Sequence, residues 1–237
     1  YTHFLDEKGG IRADLTIVRL SEDCFRVICG GGTGHRDLVW IKQMAAVRNA
    51  DIEIHNRTHQ LATLGLWGPN ARKVLASLVD DPNAVSDAKF PFATAANIEI
   101  AGIKIWAFRI SYVGELGWEL YFDFADGLQL WDLFADAGVN PVGIETYANS
   151  RRLEKSLRLQ NADLETDYNL HEADLARKLV KKADFHGKAA YVAQKAADQQ
   201  ASYLCTMVML KNVDASGVAR YPVGEWPILN KETREVL

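Results

Sequence analysis

The sequence predicts an α+β fold of antiparallel sheets with helices on one face, followed from residue 201 by the start of a C-terminal β-barrel. Three observations carry this. Short runs at 11–20, 24–29, 97–110 and 118–122 have the composition and loose alternation of strands. Successive runs are joined by tight turns, which makes neighbours antiparallel. Between the pairs lie segments with helical apolar spacing, at about 35–48, 71–79 and 125–137.

Residues 11–20 and 24–29 pair across the turn Ser21-Glu22-Asp23. The glycine-rich loop Gly30–Gly34 then leads into a helix reaching about Arg48. This loop lacks the Lys-Ser/Thr of a P-loop and the third glycine of a dinucleotide turn. It is read as close backbone approach to a flat ligand or a neighbouring strand. Residues 51–55 and 59–66 are the next strands, and Pro69 sits near the first turn of a helix running to about Val79. Residues 97–110 fold back about Ala101-Gly102 into the stretch WAFRISYVGELGWELYF, 106–122, around which the chain is organised. Gly114 and Gly117 break that stretch, supplying positive φ or close backbone approach. In 125–137, Leu128, Leu130, Trp131, Leu133 and Phe134 make an apolar helical face that Gly138 stops. Gly143 opens a helix carrying Tyr147, Arg151, Arg152, Glu154 and Lys155. The polar stretch 193–200 is the nearest to a linker, and 201–211 and 218–229 read as barrel strands. The expected division is 1–50 as the end of a first subdomain, 51–200 as the main α+β domain, and 201–237 as the barrel's start.

Composition narrows the function classes. Of 237 residues, 48% are hydrophobic and 24% charged, an ordinary globular balance. A net charge of −4 without a Lys/Arg stripe argues against a nucleic-acid partner. No apolar run approaches membrane-span length, so no membrane partner is expected. Cys24, Cys29 and Cys205 form no C-x-x-C, which fits a reducing compartment, and they read as inert core residues. The histidines show no metal-ligand spacing, and no metal is inferred.

Two carboxylates stand out. Glu119 lies in the apolar run WELYF, where a buried carboxylate costs several kcal/mol unless paired. Alternation leaves both directions open for it, solvent or interior. Asp14 shares a strand face with Arg12 and Thr16, opposite Ile11, Ala13, Leu15 and Ile17. The general expectation for such a strand Asp is exposure.

Four stretches resemble a known family. Ser111-Tyr112-Val113-Gly114-Glu115-Leu116-Gly117-Trp118-Glu119 resembles the [ST]-Y-x-G-E-x-G-[FWY]-E signature of folate-binding aminomethyltransferases, the glycine-cleavage T-protein family. Glu7–Leu15 is similar to that family's N-E-x-G-G-[IV]-x-[DA]-D-[LV], Ser150–Lys155 to S-x-R-[LI]-E-K, and Ala183–Lys188 to D-F-I-G-[KR]. Their order, together with A-D-L-T-x-x-R-L, is most similar to the C-terminal tetrahydrofolate domain of dimethylglycine and sarcosine dehydrogenases or oxidases. The resemblance implies the aminomethyltransferase folate-binding fold, with the chain cut from the middle of a longer protein. It also implies tetrahydrofolate as cofactor and an N-methylated amino acid as substrate. FAD is implied only in an upstream flavin domain or subunit that oxidises the amine to an iminium. The carbon is then captured as 5,10-methylenetetrahydrofolate. A cytoplasmic setting is expected, or the mitochondrial matrix in a eukaryote.

A pterin presents its 2-amino and N3–H donors side by side, matching two carboxylate oxygens, and its rings need an apolar or aromatic slot. The resemblance implies Glu119 as the pterin-reading carboxylate and Tyr112 as a lining residue; Trp118 or Tyr121 could supply further walls. It implies Asp14 as the catalytic acid–base residue near folate N10. Ala13 departs from the Asp-Asp of glycine-cleavage enzymes, and Ala148-Asn149 stands where they have Arg-Asp, which weakens a lipoyl-bound aminomethyl substrate. Arg152 and Glu154 read as structural. Other readings remain: a glycine-cleavage aminomethyltransferase, a sulfoniopropionate demethylase, or a non-catalytic relative such as the regulatory subunit of pyruvate dehydrogenase phosphatase.

Overall fold

The computed structural model describes residues 1–197, 199–220 and 226–236. The chain divides into two compact units, residues 1–204 and 205–237. The first holds all the named elements. β1 (Thr2–Leu5), β2 (Ile11–Arg19) and β3 (Phe25–Cys29) make an antiparallel sheet in that order. After α1 (Gly34–Val47), a second sheet is built from β4 (Leu61–Trp67), β5 (Ala95–Ile100), β6 (Ile103–Phe108) and β7 (Gly117–Asp123) in the order β4-β7-β6-β5, all antiparallel. α2 (Ala71–Leu78) and α3 (Gly127–Asp136) pack on one face of it. A π-helical turn, Glu145–Arg151, runs into the short α4 (Arg152–Glu154), and α5 (Lys188–Ala196) comes last.

The main core lies between the second sheet and its helices. It joins Leu66 of β4, Leu75 of α2, Ile98 and Ile100 of β5, Ile105 and Ala107 of β6, Trp118, Leu120 and Phe122 of β7, and Leu130 and Phe134 of α3. Trp118 is completely buried at its centre, edge-on to Phe90. The guanidiniums of Arg72 and Arg109 lie 5.4 and 5.8 Å from its ring, and both reach Asp87 at 2.7 Å. Those cations hold the Asp87 carboxyl below the usual carboxylate range. The first sheet has its own core, in which Leu5 and Ile11 meet Leu164, Leu170, Ala173 and Tyr191. Residues 164–191 therefore return to cover the sheet that opens the chain.

The two glycines of the organising stretch serve different ends. Gly114 takes φ +69°, a conformation that side chains rarely adopt, and lies against the Lys155 stem. Gly117 pairs with Trp67 across the sheet, where a Cβ would stand 2.2 Å from the Leu66 carbonyl oxygen.

Several expectations are corrected. Residues 51–55 form no strand. They pair with neither sheet, and Ile52 is exposed instead of buried. β1 was not foreseen; it pairs with β2, with His3 opposite Asp14. On α3 only Leu130 and Phe134 are fully inward, one turn apart, whereas Leu128 and Trp131 are exposed. Residues 193–196 continue α5 and are no linker. Residues 201–211 form no strand, and among the described residues of the second unit only the isolated bridges Val213–Ala219 and Leu229–Val236 occur. Among the described residues no barrel strand, with a ladder on both sides, is formed. Residues 221–225 of the expected strand 218–229 lie outside the described residues. Cys24 and Cys205 are exposed and Cys29 is half-buried, so none is a core residue.

The Gly117 contact predicts that Gly117→Ala destabilises the protein by about 1–3 kcal/mol, since the opposing atom is backbone and cannot swing aside. Gly143→Ala, where the added Cβ meets nothing, should stay within about 0.5 kcal/mol of wild type. Urea unfolding of the two variants compares them directly.

Candidate functional site

The alternation of β7 decides where its carboxylate goes. Trp118, Leu120 and Phe122 face the helices, so Glu119 and Tyr121 must face the other way. That face borders a cleft of about 2040 Å³. Residues of β3, the start of α1, the segment 51–60, β4 and the loop before β7 line it. Its volume exceeds the roughly 300–1,000 Å³ of a typical small-molecule pocket, so a flat ligand fills only part of it.

Within the cleft, the Tyr121 hydroxyl donates to Glu119 Oε2 at 2.5 Å. Burial pushes the Glu119 carboxyl above its ordinary range, and the Tyr121 contact opposes that rise only in part. The Tyr121 phenol is itself pushed far up, first by burial and then by Glu119. Trp106 pairs with Tyr121 across the ladder, its ring 5.2 Å away. Arg26 of β3 lies over Trp106, 4.1 Å from the ring centre. On the other side of the cleft, Tyr147 of the π-helical turn stands edge-on to Trp67 at 5.8 Å and to Tyr112 at 6.1 Å. The Trp67 Nε1 and Tyr112 hydroxyl are buried with no hydrogen-bond partner among the described residues. The cleft therefore offers an aromatic slot with two unsatisfied polar groups and a half-buried carboxylate.

Asp14 is half-buried on β2 and is not part of the cleft lining. It lies close enough to Tyr112 to raise that phenol, and Asp37, which does line the cleft, raises Asp14 in turn. Burial is the main cause of Asp14's raised pKa, and the Tyr1 hydroxyl, donating to Oδ2 at 3.0 Å, pulls it back. His3 faces Asp14 across the ladder; its imidazole is pushed down to about 4, chiefly by burial, and so stays neutral. Asp37 is itself buried, accepting from the Thr33 hydroxyl at 2.7 Å at the end of the glycine-rich loop.

The structure thus brings Glu119 and Tyr112 to one cleft and sets Asp14 beside Tyr112. Trp118 is corrected: it occupies the opposite face of β7 in the core and cannot wall the ligand. Tyr121, on the other face, lines the cleft. Arg152 is buried and grips Asp163 Oδ2 at 2.5 Å together with the carbonyls of Ala148 and Leu157. That is a structural role, as expected. Sequence reasoning missed Trp67, Tyr147, Asp37 and Arg26. Only Arg26 carried a signal, a charge inside the apolar run CFRVIC, the same signal that singled out Glu119.

Comparison with known proteins now adds to this geometry. Residues 1–183 match the family described as GCVT N-terminal domain. The chain belongs to that family. It is 39% identical over 222 residues to human mitochondrial dimethylglycine dehydrogenase, covering 91% of this chain and 25% of the relative. It is 31% identical over 204 residues to the aminomethyltransferase of Alkaliphilus metalliredigens, covering 83% and 53%. Among solved structures, glycine cleavage system aminomethyltransferase T from Bartonella henselae matches with a TM-score of 0.66 and 25% identity, over 82% of this chain and 52% of that one. The chain thus spans about a quarter to a half of the relatives it matches. Among the described residues no helix is long and apolar enough to cross a membrane.

The Tyr1–Asp14 contact gives a prediction independent of activity. That bond favours the ionised carboxylate, so Tyr1→Phe should move the Asp14 titration further above the ordinary carboxylate range. A carboxyl ¹³C NMR titration reads this; an unchanged or lowered midpoint would refute it.

Proposed function

We propose that this chain is the tetrahydrofolate-binding, one-carbon-transferring part of an N-demethylating enzyme akin to dimethylglycine dehydrogenase. The observation that carries the reading is Glu119, a desolvated carboxylate that burial leaves short of partners, facing an aromatic-lined cleft. Two carboxylate oxygens complement the paired 2-amino and N3–H donors of a pterin, and such charge-assisted pairs are the strong ones. Tyr112, Tyr147 and Trp67 would border the rings, and the orphaned Tyr112 hydroxyl and Trp67 Nε1 are donors for the ligand's acceptors. The residues present fit the cofactor. When bound, tetrahydrofolate supplies the amine nitrogens that take up the carbon.

In this reading Asp14 holds or removes the proton at the acceptor amine. Its raised pKa suits it to exchange protons nearer neutrality than an ordinary Asp. The amine oxidation and its FAD are assigned to a flavin domain or subunit outside this chain, and 5,10-methylenetetrahydrofolate is the product. Relatedness to dimethylglycine dehydrogenase over 91% of the chain favours this branch, as does Ala148-Asn149 in place of Arg-Asp. A lipoyl-carrier substrate is therefore not expected.

Two variants test the assignment in the full-length protein. Glu119→Gln should weaken tetrahydrofolate binding by about 1.5–3 kcal/mol in calorimetry, while a folded variant with wild-type affinity would reject the carboxylate's role. Asp14→Asn should lower methylenetetrahydrofolate formation by about 10²–10⁴-fold while flavin reduction survives, so the carbon leaves as formaldehyde. Quantifying the two products together decides the matter; a wild-type ratio would make Asp14 a plain strand residue.

A further inference from the structure

Arg26 is a cation with an aromatic support and a nitrogen without an acceptor. Its guanidinium lies over Trp106, 4.1 Å from the ring centre and 6.0 Å from that of Tyr121. Nη1 is buried with no hydrogen-bond partner among the described residues, and the residue lines the cleft. Arg12, Arg36 and Arg109 also carry a buried nitrogen without a partner, but of these four only Arg26 lines the cleft. Arginines gripped by carboxylates and carbonyls look different. Arg152 grips Asp163 and two carbonyls, and Arg72 grips Asp87 and the Val85 carbonyl. Stacking supplies some stabilisation for Arg26, but an unmet buried donor costs about as much as a lost hydrogen bond. Facing the cleft, this donor is open to an acceptor on a ligand.

The position says which part of a ligand it would meet. Tyr121 neighbours both groups, its hydroxyl on Glu119 Oε2 and its ring centre 6.0 Å from the Arg26 guanidinium. One wall therefore carries, in order, a carboxylate acceptor, a phenol and a guanidinium donor. A pterin edge reads donor, donor, acceptor: 2-amino, N3–H, 4-oxo. The carboxylate satisfies the first two, and the third requires a donor beside it. We propose that Arg26 is a ligand-recognition residue whose guanidinium donates to the oxygen flanking the edge read by Glu119, the 4-oxo group when the ligand is a folate. This rests on the folate reading above and extends it to a residue that selects the substituent at C4 of the ring. The glutamyl tail sits at the opposite end of a folate from that edge, so its carboxylates are not Arg26's partner.

The test uses the full-length protein with three probes: tetrahydrofolate, tetrahydropteroate (which lacks the glutamate), and the 4-amino analogue of tetrahydrofolate. Arg26→Met keeps the length of the side chain and a sulfur contact to Trp106 while removing every donor. It should weaken tetrahydrofolate and tetrahydropteroate alike by about tenfold to a hundredfold and leave the 4-amino analogue unchanged, because that analogue presents a donor where Arg26 donates. Any effect of the analogue on Glu119 is common to both proteins and cancels in the ratio. Arg26→Lys, retaining one charged donor, should recover part of the preference; if Arg26→Met does not fold, the Lys variant is read by the same ratio, expected below wild type. Equal loss for all three probes would make Arg26 a prop for the cleft, loss confined to the glutamate-bearing probes would assign it to the tail, and no loss would make it a bystander. Each of these overturns the proposal alone. A wild-type protein that binds no tetrahydrofolate overturns the folate reading itself.

Discussion

A carboxylate can stand in the middle of a buried, apolar strand only because a strand sends alternate side chains to opposite faces. In β7 that alternation puts Trp118, Leu120 and Phe122 into the largest core of the protein and Glu119 and Tyr121 into the cleft. The two sets cannot be exchanged. A one-residue slip would bury Glu119 under α2 and α3 and expose Trp118. Each neighbour helps to hold the register: β4 and β6 pair with β7 on both sides, and the Leu66 carbonyl lies against Gly117 where no side chain would fit. Packing of the core therefore fixes the chemistry of the cleft.

Desolvation sets the electrostatics of that cleft. Burial is the first cause of the raised pKa of Glu119, Tyr121 and Tyr112 and of the lowered pKa of Arg26. In each case the charged form is short of water and only partly compensated by protein. A group of perturbed residues around one concave surface is a mark of functional sites, whereas structural ion pairs such as Arg152–Asp163 are satisfied. The stacking of Arg26 on Trp106 and the edge-on set Trp67, Tyr147 and Tyr112 keep these polar groups from collapsing onto one another.

Much of this was legible in the sequence. The paired strands and three helices follow from local periodicity and turn residues, and Glu119 from a charge in an apolar run. What failed required knowledge of neighbours. Residues 51–55 alternate correctly but join neither sheet, and 201–211 are largely apolar yet form no strand. The sequence offers Trp118 and Tyr121 alike as ligand walls, but neighbours in a strand point to opposite faces, and only Tyr121 shares the face of Glu119. The rule applied to Glu119 applied equally to Arg26 in CFRVIC, but that residue's aromatic partner is eighty positions away and invisible to local pattern. The segment 164–191 covers the first sheet through contacts no periodicity reveals.

The central claim is that the register of β7 turns Glu119 into a pterin-reading carboxylate. A crystal structure of the protein with a stable reduced folate tests it most directly. The account predicts the 2-amino and N3 nitrogens within about 3 Å of the Glu119 oxygens, with the rings in the slot bordered by Tyr112. A folate bound with its pterin away from Glu119, or with that carboxylate facing only water, would contradict it.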